Sequence, residues 1–254
     1  MKNILKMLGF TVIITVIGFS IAACGDDNGG TGGGGPATGL DEVVVENQQV
    51  YTYQINEETG KLSWTDFKGN LSFKSLPSYV EISVTGGKLN LTLNTPNEAD
   101  LGTVSSFSNY FNEGFDMYKN QSISDESVKM VIIREFEING NNYDSLFKGN
   151  ETVSRSGNSG SQTSERAFFI YVDNPVVIKA DGVIEQGENK FGGDTYINKF
   201  TSSKINLSLE KGWNVLHMNY KLTVSYNSTT STYNDNRTIS ISVGNPNSLR
   251  WVYN

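Results

Sequence analysis

The chain has 254 residues, 20 Lys plus Arg against 27 Asp plus Glu, a formal net charge of −7, one histidine and one cysteine. An acidic balance with no run of Lys or Arg excludes the basic stripe that phosphate backbones require, so nucleic acid is not expected as a partner. One histidine and one cysteine likewise exclude metal centres built on several such ligands, and no cofactor is implied. The chain opens with Lys2 and Lys6, then an apolar run from Leu8 to Ile21, then Ala22 and Ala23 before Cys24. A basic start, an apolar segment and small residues ahead of a cleavage point are the pattern of an export signal. As a helix the apolar run would span roughly 21 Å, short of the ~30 Å hydrocarbon core that a permanent membrane helix crosses.

The tetrapeptide Ile21-Ala22-Ala23-Cys24 resembles the lipobox of bacterial lipoproteins. That resemblance implies cleavage between Ala23 and Cys24 after the Cys24 thiol has received a diacylglycerol, which makes Cys24 the lipid-attachment residue and membrane lipid the first partner. It also accounts for a lone cysteine, since acylation consumes a thiol that would otherwise be reactive in an oxidising compartment. Each buried methylene contributes ~0.8 kcal/mol, so two or three acyl chains hold a protein on a bilayer without a spanning helix. Loss of residues 1–23 removes Lys2 and Lys6 and leaves 18 basic against 27 acidic residues, a mature charge of −9. The expected location is the cell envelope, with outer membrane or cell surface preferred to inner membrane.

Residues 24–40 form the next segment. Gly25 to Gly39 reads GDDNGGTGGGGPATG, with almost no apolar side chain to offset ordering entropy. This predicts a flexible tether with a reach of roughly 20 Å. A phosphate-cradling glycine loop is excluded because no Gly-Lys-Ser/Thr follows.

Residues 41–254 are the folded body, and their dominant signal is period two. Tyr51, Tyr53 and Ile55 share a strand face, Leu71 and Phe73 repeat the pattern, and Val80, Ile82 and Val84 run through Gly86-Gly87 into Leu89, Leu91 and Leu93. Two alternating runs joined by Gly-Gly predict a tight hairpin, because both central residues of its turn need positive φ. Between Thr95 and Asn120 the period changes: Leu101, Val104, Phe107, Tyr110 and Phe111 recur at three- and four-residue steps after Pro96, which predicts one short amphipathic helix. Strands resume over Val128 to Ile138. Ser154 to Ser164 is a Ser/Gly/Asn/Thr stretch that predicts a loop. Phe168 to Val172 and Val176 to Ile184 read as two strands with a corner at Asn174-Pro175. Thr195 to Leu209, Trp213 to Tyr226, Thr238 to Val243 and Leu249 to Tyr253 complete the series, with a Ser/Thr/Asn loop before Thr238. The expectation is a mainly β protein, an antiparallel β-sandwich or jelly-roll-like body with one short helix. A barrel, or two tandem sandwiches divided near Asp125, are the alternatives.

Candidate chemistry is sparse. His217 lies on a strand face with Trp213 and Val215, a position that suits packing better than catalysis. Glu135 and Glu137, two apart on a strand, could face a glycosidic bond, as in jelly-roll glucanases that this pair faintly resembles, but no third acid follows among Ile138 to Asn142. Gly157-Asn158-Ser159-Gly160-Ser161 lacks the spacing of a nucleophile elbow. Asp26-Asp27, Asp173-Asn174 and Asp235-Asn236 are hard-oxygen pairs without a calcium-loop spacing. Trp64, Trp213 and Trp251, with 12 tyrosines, could supply a sugar platform, although core packing explains each tryptophan. Leu209-Glu210-Lys211-Gly212-Trp213-Asn214 and Gly244-Asn245-Pro246 are similar to segments of uncharacterised bacterial lipoproteins, which implies no activity. The sequence therefore points to a membrane-anchored protein with a non-catalytic binding or interaction role, its ligand a carbohydrate or a protein surface. A carboxylate-dependent glycoside hydrolase and a structural or antigenic surface protein are the rival readings, and the oligomeric state is not legible.

Overall fold

The computed structural model describes residues 38–56, 59–105, 107, 118–139, 144–244 and 249–253. The predicted leader 1–23, with Ala23, then Cys24 and the predicted tether as far as Ala37 lie outside the described residues. In chain order the strands are β1 (Val43–Gln49), β2 (Tyr51–Ile55), β3 (Leu62–Asp66), β4 (Val80–Thr85), β5 (Lys88–Leu93) and the short β6 (Gly102–Thr103). They continue with β7 (Tyr118–Ile123), β8 (Lys129–Ile133), β9 (Phe136–Glu137), β10 (Ser145–Ser156) and β11 (Ser159–Val172). The last are β12 (Val176–Gly182), β13 (Ile184–Phe191), β14 (Asp194–Ser202), β15 (Ile205–Leu209), β16 (Gly212–Asn227), β17 (Thr232–Val243) and β18 (Arg250–Tyr253). The protein is mainly β with predominantly antiparallel sheets.

A large central sheet runs in the order β13-β14-β17-β16-β11-β10-β18-β2-β3, and two three-stranded sheets, β1-β5-β4 and β15-β12-β7, accompany it. Strands on both sides of Asp125 share the central sheet, since β2 and β3 precede that residue and β10, β11, β13, β14, β16, β17 and β18 follow it. The run Ala167-Phe168-Phe169-Ile170-Tyr171-Val172 on β11 explains the layering. Its odd-numbered members pack with Val43, Leu89, Leu91 and Leu93 of the first small sheet. Its even-numbered members pack with Val176, Ile178, Ile205 and Leu207 of the second. A strand covered on both faces reads as unbroken apolar sequence, which is what these six residues show. Each small sheet therefore covers one face of the same end of the central sheet, while the other end, built from β13, β14 and the distal halves of β10, β11, β16 and β17, extends beyond both.

The Gly86-Gly87 hairpin forms as the sequence predicts. Both glycines have positive φ, 57° and 74°, and β4 pairs with β5 from Val80↔Leu93 to Thr85↔Lys88. Among the described residues the short amphipathic helix is not seen; 106 and 108–117 lie outside them. Among the described residues this region contains a three-residue 3-10 turn, Glu98–Asp100, after which Gly102 and Thr103 pair with Met130 and Lys129 of β8. The turn is held by the Asn97 backbone N–H donating to Asp100 Oδ2 at 3.2 Å and by the ion pair of Glu98 with Lys129. Ladder bonds to β8 thus replace the helical ones that Gly102 would have weakened. Val104 and Phe107 are nevertheless buried, as a core-facing stripe requires; Tyr110 and Phe111 lie outside the described residues.

The predicted loop over Ser154 to Ser164 is instead the tip of a long hairpin. Strands β10 and β11 pair from Lys148↔Ala167 out to Ser156↔Ser159, and the turn is Gly157-Asn158 with Gly157 at φ 54°. Positive φ at glycine followed by an ordinary residue fits a type II′ turn. Because β11 also pairs with β16 along its whole length, ladder hydrogen bonds on both sides impose a strand on residues of modest propensity. The same effect starts β17 at Thr232, inside the predicted Ser/Thr/Asn loop. Two predicted strands are divided: Val128 to Ile138 at Arg134-Glu135, and Thr195 to Leu209 at Ser203-Lys204.

Candidate functional site

The residues singled out in the sequence scatter. Trp213 and Trp251 are fully buried. The Trp213 indole N–H donates to the Asn94 carbonyl at 3.1 Å, and Trp251 stacks on Phe169 at 6.0 Å. Trp64 is half-buried, edge-on to Tyr53 at 4.6 Å. None of the three forms an open platform. Glu135 sits at the break after β8, where its carboxylate accepts from the Ser145 hydroxyl at 2.9 Å, and Glu137 pairs with Lys74 at 3.4 Å. Asp173 accepts from the Lys129 backbone N–H at 2.9 Å. Asp26 and Asp27 lie outside the described residues. Among those residues no group of three His, Cys, Asp or Glu side chains is disposed to hold a metal ion, and no helix is long and apolar enough to cross a membrane.

His217 has closer company than the sequence suggested. Its Nε2 lies 3.3 Å from Glu165 Oε1. The register places His217 opposite Ala167 of β11, which in turn faces Lys148 of β10. Lys148 is 1% exposed, and burial pushes its ammonium down to about 7. Burial also holds the His217 imidazole below its usual range, against the pull of Glu165. These groups line the border of the first core.

A different set converges at the uncovered end of the sheet. On β14, Tyr196, Asn198 and Phe200 alternate and so share one face; on β17, Tyr233, Asp235 and Arg237 do the same. Strand β14 pairs with β17 as Tyr196↔Tyr233, Asn198↔Asp235 and Phe200↔Arg237. Edge strand β13 adds Asn189 beside Tyr196, Gly187 beside Asn198 and Glu185 beside Phe200, while β16 adds Tyr226, Val224 and Leu222 on the far side. Three rows therefore cross four strands, ~4.8 Å apart between strands and ~6.7 Å along them. The first row is aromatic: Tyr196 stacks on Tyr233 at 4.8 Å and 5°, and Tyr226 leans on Tyr233 at 4.3 Å. The second row is Gly187, Asn198, Asp235 and Val224. The third is Glu185, Phe200, Arg237 and Leu222.

The β13, β14 and β17 members of the second and third rows floor a cleft of about 490 Å³, lined by Glu185, Gly187, Asn189, Asn198, Asp235 and Arg237 among others, with Phe200 at its base. Such a volume is within the range of small-ligand sites. Within it Asp235 accepts a two-pronged pair from Arg237, Nε at 3.0 Å and Nη2 at 2.8 Å, which holds the guanidinium plane rigid and neutralises it. Gly187 is the informative member. It lies in mid-strand, its φ is not in the left-handed region, and a Cβ built there would meet nothing within 4 Å. The backbone has no need of glycine here, and a strand interior loses stability with one. What its missing side chain provides is open space in the cleft floor.

Sequence reasoning missed this site because residues 185–194 carried no assignment and 227–237 read as loop. The usable signal was Tyr-x-Asn-x-Phe at 196–200 and Tyr-x-Asp-x-Arg at 233–237, an alternation that has meaning once both segments are strands. On the same face, nearer β10, Glu151 is 5% exposed; burial pushes its carboxyl up to about 7 against hydrogen bonds from Gln162 and Ser164, and its Oε1 has no partner among the described residues. No family model matches the chain, and neither the curated proteins nor the solved structures include one similar to it.

Proposed function

We propose that this chain is a lipid-anchored, extracytoplasmic binding protein of the bacterial envelope whose β body holds a neutral carbohydrate in the cleft between β13, β14 and β17. The observation that carries this reading is the mid-strand Gly187, which leaves room beside Asn198, Asp235 and Arg237. Amides, a carboxylate and a planar guanidinium held in fixed positions supply the donors and acceptors that ring hydroxyls need, and the adjoining tyrosines supply further hydroxyls and apolar ring edges. A chain whose mature charge is −9 disfavours polyanionic ligands. The lipobox-like Ile21-Ala22-Ala23-Cys24 supports attachment through Cys24, and the layering of three sheets supports a sandwich-type body. We read the role as binding without catalysis: of the two carboxylates that line the cleft, Glu185 and Asp235, the second is tied to Arg237, and Glu135 and Glu137 lie elsewhere.

A glycan array probed with the full-length chain tests this. Binding to neutral glycans is expected, weakened about tenfold or more by Gly187→Val, which fills the cleft while favouring the strand. A flat array, or a Gly187→Val protein that binds as well as the parent, would defeat the proposal.

A further inference from the structure

We infer that the cleft is a dead end, entered from the β13 edge of the sheet, which holds the terminal one or two units of a glycan and not an internal stretch of a longer chain. This rests on the carbohydrate reading and adds which part of the ligand is held. The lining gives the shape. Edge strand β13 contributes residues from Glu185 to Asn189, β14 contributes from Asn198 to Phe200, and β17 contributes Asp235 and Arg237. At ~3.3 Å per residue the lined stretch is roughly 13 Å long on β13 and roughly 7 Å long on β17, two strand spacings further in. The cleft is therefore a wedge that narrows away from the sheet edge.

Three of its sides are bounded. Inward, the lining ends at Asp235 and Arg237, whose two bonds of 3.0 and 2.8 Å hold carboxylate and guanidinium together as an end wall. Toward the core, the same face passes from Phe200 and Arg237 to Ser202 and Ile239, both buried. Toward the hairpin tips stands Tyr196, stacked on Tyr233. The fourth side is open. Gly187 carries no side chain, nothing stands within 4 Å of where a Cβ would be, and among the described residues no strand pairs with the outer side of β13. One pyranose is about as long as a strand spacing, so a depth of two spacings holds two units. The end unit is the one that reaches the wall. Its adjacent ring hydroxyls carry no further sugar, so they can donate to the Asp235 carboxylate and accept from the Arg237 guanidinium. A unit linked on both sides would have to pass its second linkage through that pair.

The test is calorimetric titration of the full-length chain with β-1,4-linked glucose and N-acetylglucosamine oligomers of one to six units. A two-unit site that read internal stretches would find five placements on a hexamer against one on a dimer, a fivefold gain from statistics alone. A site that reads the end gains nothing, so affinity is expected to change less than threefold from two units to six. Asp235→Asn should weaken one unit and six by the same factor, about tenfold, because the same end unit meets the wall in both. A gain of threefold or more from two units to six, or an Asp235→Asn loss that is absent or depends on length, would overturn the dead end and leave the carbohydrate reading standing. Absence of binding to both series would overturn the inference, and together with a flat neutral-glycan array it would overturn the carbohydrate reading as well.

Discussion

Two ionisable side chains sit three residues apart on β10 and therefore on opposite faces of the sheet: Lys148, 1% exposed, and Glu151, 5% exposed. Burial moves both toward neutrality, Lys148 down from 10.5 to about 7 and Glu151 up from 4.5 to about 7. Their consequences for stability have opposite signs. For Lys148 the folded value is depressed, so the favourable condition exists above pH 10.5 and is lost as pH falls through about 7. For Glu151 the folded value is raised, so the favourable condition exists below pH 4.5 and is lost as pH rises through about 7. Near neutrality both groups act against folding, on the order of 3 kcal/mol each. Urea unfolding of Lys148→Met should show a gain over the parent that is full at pH 7 and fades toward pH 10. Glu151→Gln should show a gain that is full at pH 7 and fades toward pH 4.5. Differences between variant and parent isolate each group from His217, whose own depressed value opposes Glu151 on the acid side. A difference that does not vary with pH would show that water reaches these side chains in solution.

At the level of elements the same residue type does different things in one turn. Gly86 and Gly87 both have positive φ, but a Cβ on Gly86 would meet nothing within 4 Å, whereas one on Gly87 would lie 1.8 Å from the Phe67 carbonyl oxygen. Gly86→Ala should therefore lose about 1 kcal/mol, the left-handed backbone term alone. Gly87→Ala should lose about 3 kcal/mol or more, because the hairpin and the Phe67 segment must part. Equal midpoints in urea for the two variants would count against the tight packing of that turn. This hairpin was legible in the sequence because its information is local: two alternating runs and the glycines that the turn requires. The β10–β11 hairpin was not, although Gly157-Asn158 is itself a turn signal, because Ser, Thr and Asn side chains that face solvent look like loop composition. What makes them a strand is β16, more than fifty residues away, pairing along the whole of β11. The candidate site was lost for the same reason, since its members on β13, β14, β16 and β17 meet through register. The start of the predicted helix is the converse case, where β8 overrides a local period by pairing with Gly102 and Thr103.

Across the whole molecule, the covered and uncovered ends of the central sheet divide stability from recognition. Both cores lie where the small sheets β1-β5-β4 and β15-β12-β7 cover it. The cleft, the tyrosine row and the exposed side chain of Phe191 lie toward the end that neither small sheet covers. Leu40, the first paired residue after the tether, bridges to Trp213 at the covered end. The described body is thus joined to its N-terminal segment next to its cores, while the cleft forms at the sheet's other end. On the proposed reading, an anchor at Cys24 followed by roughly fifteen glycine-rich residues would leave that open end free to turn away from the lipid, where a surface glycan could reach it. On that reading the arrangement would depend on the acyl chains, because the sequence offers no run of Lys or Arg with which to hold an anionic bilayer. Cell fractionation of Cys24→Ser should accordingly move the protein from the membrane pellet to the soluble fraction, with the neutral-glycan affinity of the body unchanged. Mass spectrometry of the parent should find its N-terminal peptide beginning at an acylated Cys24. A Cys24→Ser protein that stays in the pellet, or a parent with an unmodified Cys24, would remove the anchor from the proposal and leave the cleft to be explained without a membrane.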